Sequence, residues 1–305
     1  MFMIALTPSS DNATGSRKSP FVFNKTMEGI ELSENGKPVF FYQISPRESK
    51  GSGIYNNYFH PVYNLQGEVI TEEFPKDHLN HRGIFWAWHQ VFINDLNLGD
   101  GWIMENMTQS VTNAETETNN KFAVLNTTVL WKSSRWQNQA AFIEEKATVK
   151  VYKSENNIRK IDFEITLAPL VAGVSLGGSD DEKGYGGFCT RIKMPDDLVF
   201  ISEKGPVKPH NLQVNSGPWM DFCWTSAAGI KNGLAILCHP SDPEYPAPWI
   251  LRQKASMQNI VFPGRERTKL EKPLVLRYRV IIHNGDTKSA EMAKLQEEFK
   301  KVLIK

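Results

Sequence analysis

The sequence predicts an all-β protein, a large two-sheet antiparallel β-sandwich followed by one C-terminal helix. Three observations carry that expectation. Short runs rich in Val, Ile, Thr, Phe and Tyr recur along the chain, separated by Asn-Gly, Gly-Lys-Pro and Asn-Asn breaks of the kind that close hairpins. Helical periodicity is almost absent before residue 286. The apolar runs do not alternate with helices, and no self-similarity at about 20 to 50 residues is visible, which argues against β/α units, propellers and solenoids.

Taken in order, residues 1–19 are rich in Ser, Pro, Asn, Gly and Thr and read as a flexible arm. Residues 20–305 read as a single domain, since all-β architectures routinely use about 200 to 250 residues as one unit. FVFNKTMEGIELSENGKPVFFYQI supplies the first meander strands. KFAVLNTTVLWKS, AAFIEEKATVKVYKS and IRKIDFEITLAPL read as three long strands, with Glu155-Asn156-Asn157 as the turn between the last two because Asn tolerates positive φ. Further strands are expected at GGFCTRIKM, DLVFISE, GLAILCH, QNIVF and PLVLRYRVIIH. The helix is placed by Asp286 as a cap and by Met292, Leu295, Phe299 and Val302, which recur at a spacing that makes one apolar stripe.

Charge and composition bound the function. The 305 residues carry 35 basic and 34 acidic side chains, a formal charge of +1, so no global field attracts nucleic acid or an anionic membrane surface. Runs such as GIFWAW fall short of the roughly 20 apolar residues a spanning helix needs. Cys189, Cys223 and Cys238 are odd in number and lack a CxxC, which points to buried free thiols. The N-terminus lacks a basic leader and reads as cytoplasmic as written, or periplasmic if the start is trimmed; the oligomeric state is left open.

The chemistry concentrates in residues 59–91, which hold four of the seven histidines. His78 and His81 are separated by two residues, with Asp77 before them and Arg82, Trp86 and Trp88 after them. Imidazole serves as a general acid or base near neutral pH, and titratable groups clustered beside large rings are characteristic of a pocket. His78 and His81 are therefore the preferred catalytic pair. The same two side chains would be the metal ligands if the protein held one, but HxxH lacks the helical HExxH context, so no cofactor is the favoured expectation. His89 follows an apolar strand with no acidic neighbour and reads equally as a satisfied rim histidine. Trp86 and Trp88 share one face of a strand, either as platforms for a sugar ring or as sandwich core.

FHPVYNL at 59–65, DHLNHRGIFWAWHQV at 77–91, KGYGGFCTR at 183–191, WMDFCW at 219–224 and HPSDPEYPAPWILR at 239–252 resemble, in the same order, segments of a soluble bacterial family labelled PmoA-like. The resemblance spans about residue 20 to 285. It implies the galactose-mutarotase-like supersandwich, a two-sheet architecture shared by epimerases, lyases and several glycoside hydrolases. In mutarotase-like enzymes histidine acts as acid and a carboxylate as base, and DHLNHRG stands where their first histidine loop would be.

The remaining motifs are candidate walls of one pocket. Lys183, Tyr185 and Arg191 flank a glycine-rich bend, where Arg191 pairs either with a substrate carboxylate or with an internal acid. Asp221, set between aromatics, is the candidate carboxylate partner of the histidines or else a buried turn cap. His60, Arg82, His239, Trp249 and Arg252 complete the expected binding set. The partner expected is a small sugar or glycan, taken by an epimerase, lyase or hydrolase. The alternatives are a noncatalytic carbohydrate-binding protein and, more weakly, a metal-dependent oxidoreductase.

Overall fold

A computed structural model of the chain describes residues 19–288 and 290–302. Alternation gives each long strand two faces, because successive side chains of a pleated strand point to opposite sides. Along Ile158–Pro169, Ile161, Phe163, Ile165 and Leu167 enter the main core, whereas Asp162 and Glu164 do not. Ile143–Tyr152 contributes Ala147, Val149 and Val151 to that core, and Leu274–Asn284 contributes Leu276, Tyr278, Val280 and Ile282. These strands sit side by side in a nine-stranded antiparallel sheet.

The facing sheet has eight strands. It opens with the meander Phe21–Lys25, Gly29–Glu34 and Lys37–Gln43 and continues through Tyr58–Val62, Ile84–Ala87, Gly187–Thr190 and Gln258–Val261 to Trp249–Ile250. Rings interlock between the two layers, with Phe59 edge-on to Phe163 at 5.4 Å and Phe188 stacked on Tyr278 at 4.5 Å. The expected two-sheet antiparallel architecture is therefore the one observed, and neither sheet closes into a barrel. Its hairpins turn where Asn tolerates positive φ: Asn156 and Asn157 at 52° and 62°, and Asn35 at 51° before Gly36 at 76°.

The helix, α1, covers Met292–Phe299, and Met292, Leu295 and Phe299 seal the outer face of the nine-stranded sheet over Trp219, Leu237 and Ile281. Its start differs from the expected one. The N-cap is Glu291 rather than Asp286, because the chain first makes a turn in which the Ala290 N–H donates to the Asp286 carbonyl. Of the expected arm only Ser19 belongs to the described residues; its Oγ donates to the Asn119 carbonyl at 2.8 Å. Among the described residues no helix is long and apolar enough to cross a membrane. Cys189, Cys223 and Cys238 are unpaired and buried, and burial pushes each thiol pKa up.

Beneath α1 the charges on the outer face of Ile158–Pro169 are matched across the strand pair. Asp162 stands opposite Arg279 in register and receives its Nε and Nη2 at 2.5 and 2.7 Å, with both side chains almost fully buried. The guanidinium also lies 4.7 Å from the Phe299 ring centre, so this pair and the helix cover one another.

Candidate functional site

The strand Ile84–Ala87 divides the chemistry of its neighbourhood. Trp86 enters the inter-sheet core, and Trp88, just past the strand, follows it, with its indole N–H donating to the Phe262 carbonyl at 2.8 Å. Phe85 and Ala87 point outward, where they pack with Tyr55, Tyr58, Trp102, Cys189 and Met257 as a second apolar layer on the back of the eight-stranded sheet. Loops converge over this layer around a cavity of about 510 Å³, a volume suited to a small organic ligand. Its wall includes His78, His81, His89, Trp102, Lys183, Tyr185 and Arg252.

The loop carrying His78 and His81 is pressed against the neighbouring strand. Gly83 has φ 53°, and a Cβ there would lie 1.9 Å from the Phe59 carbonyl oxygen, so only glycine lets the chain pass. Asp77 anchors the loop. Arg191 holds its two oxygens with Nη1 and Nη2, both at 2.9 Å, the Ser256 N–H donates to it at 2.9 Å, and His78 Nδ1 donates at 2.9 Å. Burial alone would raise the Asp77 pKa, but these donors hold its carboxyl well below the usual carboxylate range. His78 stacks on His81 with ring centres 4.4 Å apart and planes 4° from parallel.

A second histidine–aspartate pair is assembled by a hairpin. Gln90–Ile93 and Leu96–Gly99 pair antiparallel and return the chain to its starting point, so that Asp100 Oδ2 receives the His89 Nδ1–H at 2.7 Å. The other oxygen, Oδ1, caps the next turn by accepting the N–H groups of Trp102 and Ile103 at 2.7 and 3.1 Å. One aspartate thus orients both the imidazole and the indole stacked on it, whose centres are 5.1 Å apart at 14°. Tyr185 meets the His89 ring edge-on at 4.8 Å and Trp102 at 5.0 Å. His81 lies edge-on to the same indole at 6.2 Å. His89 Nε2 and His81 Nδ1 are buried without a hydrogen-bond partner among the described residues, a costly state at the wall of a cavity that a polar ligand group would relieve.

Burial pushes the His81 pKa down to about 2, with His78, Arg191 and Arg82 adding positive charge nearby. His60 is pushed down to about 4, again by burial first. Both are neutral in the folded state at neutral pH and take up a proton near pH 6.5 when unfolded, so stability is complete above that value and falls as the pH drops below it. Each steepens the fall by about 1.4 kcal/mol per pH unit until its folded pKa is reached. In urea titrations between pH 6.5 and 4, His81→Gln is expected to flatten the pH dependence by that slope; an unchanged slope would show that His81 is charged in the native protein.

Of the residues expected from sequence, the structure brings His78, His81, Lys183, Tyr185 and Arg252 to one cavity wall. Arg82 lies beneath it, 2 % exposed between the Tyr55 and Phe85 rings. Others are elsewhere. Trp86, Trp88 and Trp249 are core residues, because the face that Trp86 and Trp88 share is the inter-sheet one; Trp249 Nε1 donates to the Gly217 carbonyl at 3.1 Å. Arg191 has no fork left for a substrate, since Glu72 and Asp77 take its Nε and Nη groups and the Ser256 carbonyl accepts from Nη1. His60 bonds Thr71 at 2.9 Å on the strand Tyr58–Val62, and His239 bonds Ser241 at 2.7 Å beside Phe299.

Asp221 is the largest departure. It stands on the nine-stranded sheet, where Oδ1 pairs with His283 Nε2 at 3.1 Å and Oδ2 receives Thr287 Oγ1 at 2.6 Å and Cys223 Sγ at 3.1 Å. It therefore is not the carboxylate of His78 or His81; Asp77 is the partner of His78, and Asp100 serves His89 instead. Among the described residues Asp221, Cys223 and His283 are the group whose ligand atoms converge within 4.8 Å, whereas His78 and His81 cannot share an ion as placed, because ring nitrogens bind in the ring plane and the two planes are parallel. A depression of about 440 Å³ opens beside Cys223, lined by Val199, Ile201 and Trp224, and no histidine lines it among the described residues.

Sequence reasoning missed Trp102, Asp100 and the role of His89. The available signal was the hairpin itself, the Asn94-Asp95 turn that returns residue 100 to residue 89. A family model described as a family of unknown function, DUF6807, matches residues 29–297. No curated protein matches the chain.

Proposed function

The chain belongs to the DUF6807 family of unknown function, and from the geometry of its cavity we propose that it is a carbohydrate-active enzyme of the epimerase, lyase or hydrolase type. The observation that carries the proposal is three imidazoles on one cavity wall, two of them oriented by aspartates. His89 with Asp100 and His78 with Asp77 have the arrangement of an acid–base catalyst held by a third group, in which the carboxylate sets the tautomer and leaves Nε2 for the substrate. His81 stays neutral beside His78, because burial disfavours its protonated form. Tyr185 supplies an aromatic surface on which the C–H groups of a sugar ring pack, and Asn80, Asn211 and Ser256 supply polar groups for its hydroxyls.

Two readouts on the purified full chain test this. Mono- and disaccharides are added while histidine side chains are followed by long-range proton–nitrogen NMR and the sugar itself by proton NMR. The expected result is a shift of the His78, His81 and His89 resonances together with a new sugar signal from turnover. Binding that shifts these resonances without turnover would make the protein a lectin-like binder. Sugar binding that leaves all three unmoved would place the site elsewhere.

A further inference from the structure

We infer that the saccharide taken by this cavity is anionic, with a carboxylate or phosphate received by Arg252 and Lys183. The inference rests on the carbohydrate reading above and narrows it. Among the described residues the cavity wall contains Lys183 and Arg252 but no aspartate or glutamate. The acids nearby stand behind the wall and are committed there, Asp77 to Arg191 and His78, Asp100 to His89 and the Trp102 turn, and Asp181 to its own loop and to Lys183 at 3.5 Å.

Arg252 is held open for a ligand. Its Nη1 donates to the His210 and Leu251 carbonyls, both at 3.0 Å, and its Nη2 to the Asn211 carbonyl at 3.2 Å. Carbonyl oxygens fix the plane of the guanidinium without neutralising it, and no carboxylate of the described residues lies within ion-pair distance. The Nε–H and one Nη2 proton remain uncommitted among the described residues, the adjacent pair that a carboxylate or phosphate accepts side-on. Arg82 repeats the pattern below. Buried between two rings, it donates to the carbonyls of Asn80 at 2.8 Å and Trp102 at 3.3 Å, again with no carboxylate partner. Its charge therefore sits beneath the wall, against the Trp102 backbone carbonyl. One buried guanidinium and one half-buried, neither with a counter-ion among the described residues, leave a positive potential that a neutral sugar would not relieve and an anionic one would.

The test uses glucose, glucuronate and glucose 6-phosphate, titrated calorimetrically into the full-length protein at one fixed ionic strength. At least one of the two anions is expected to bind ten or more times more tightly than glucose, and which of them does so separates carboxylate from phosphate. Arg252→Gln is expected to bring that ratio close to one. Because Arg252 also supports the 208–213 loop, the second variant is Lys183→Gln, whose ammonium meets only Asp181 among the described residues, and it is expected to reduce the ratio severalfold. Glucose bound as well as either anion, or a preference that survives both substitutions, overturns the anionic inference while leaving the sugar site standing. Absence of binding by all three sugars overturns both.

Discussion

Replacing His89 by Gln is expected to lower turnover by about 10²- to 10⁴-fold while changing ligand affinity by less than about tenfold, because an acid–base group acts mainly in the transition state. The expectation follows from the 2.7 Å bond between His89 Nδ1 and Asp100 and from the unpartnered Nε2. Asp100→Asn is the companion variant. The amide keeps an oxygen for the Trp102 and Ile103 N–H groups, so the loop is retained, but its NH₂ can donate to Nδ1 and move the imidazole proton to Nε2. Asp100 acts through His89 and is a positioning residue, so its substitution should lower kcat with little effect on KM and should displace the pH–rate profile. Once a turned-over sugar is known, steady-state kinetics across pH settle the matter. Wild-type kcat in His89→Gln would remove His89 from the mechanism and leave the His78–Asp77 pair as the remaining candidate.

Asp162→Ala is expected to destabilise the fold by about 3–5 kcal/mol, the cost of leaving a buried charge without its partner. Arg279 has its Nε and Nη2 on this one carboxylate and is enclosed by Tyr152 and Phe299, so the guanidinium cannot reach water without lifting α1. Carboxylate and guanidinium removed together should cost far less: Asp162→Leu with Arg279→Met exchanges a paired charge for apolar volume, a change that is often close to neutral. The midpoint of urea unfolding reports both. A loss below about 1 kcal/mol in Asp162→Ala, the scale of an exposed ion pair, would show that water reaches Arg279 in the native state. Neither residue is near the cavity, so ligand binding by the folded fraction should be unchanged.

The strands were legible because their signal is local. Ile161, Phe163, Ile165 and Leu167 alternate with polar neighbours, and Asn156-Asn157 can adopt the positive φ a tight hairpin requires; neither property depends on distant parts of the chain. Five of the thirteen expected pocket residues were legible for a similar reason. His78, His81, Lys183, Tyr185 and Arg252 belong to polar loops between strands, and loops on a rigid sandwich are where side chains meet at a cavity.

The tryptophans illustrate where local signal stops. Residues 86 and 88 had to share a face, but the two faces of that strand are both covered, one by the facing sheet and the other by the Trp102 layer. Periodicity distinguishes the two sets of residues without saying which set meets the ligand. The same limit displaced Asp221. Aromatic neighbours marked it correctly as buried, yet burial occurs on either side of the nine-stranded sheet, and its partners His283 and Thr287 come from more than 60 residues away, with separations of 62 and 66.

What the sequence determined by itself was the class of fold, the strands and turns that build it, and a shortlist of titratable loop residues, all of which follow from short-range stereochemistry and solvation. Only the tertiary structure decided which carboxylate serves which imidazole and which ring lines the cavity. A hydrogen bond such as that from His89 to Asp100 exists because hairpin pairing brings the chain back on itself and sets the two side chains 2.7 Å apart, and that return is a property of register across strands rather than of either residue.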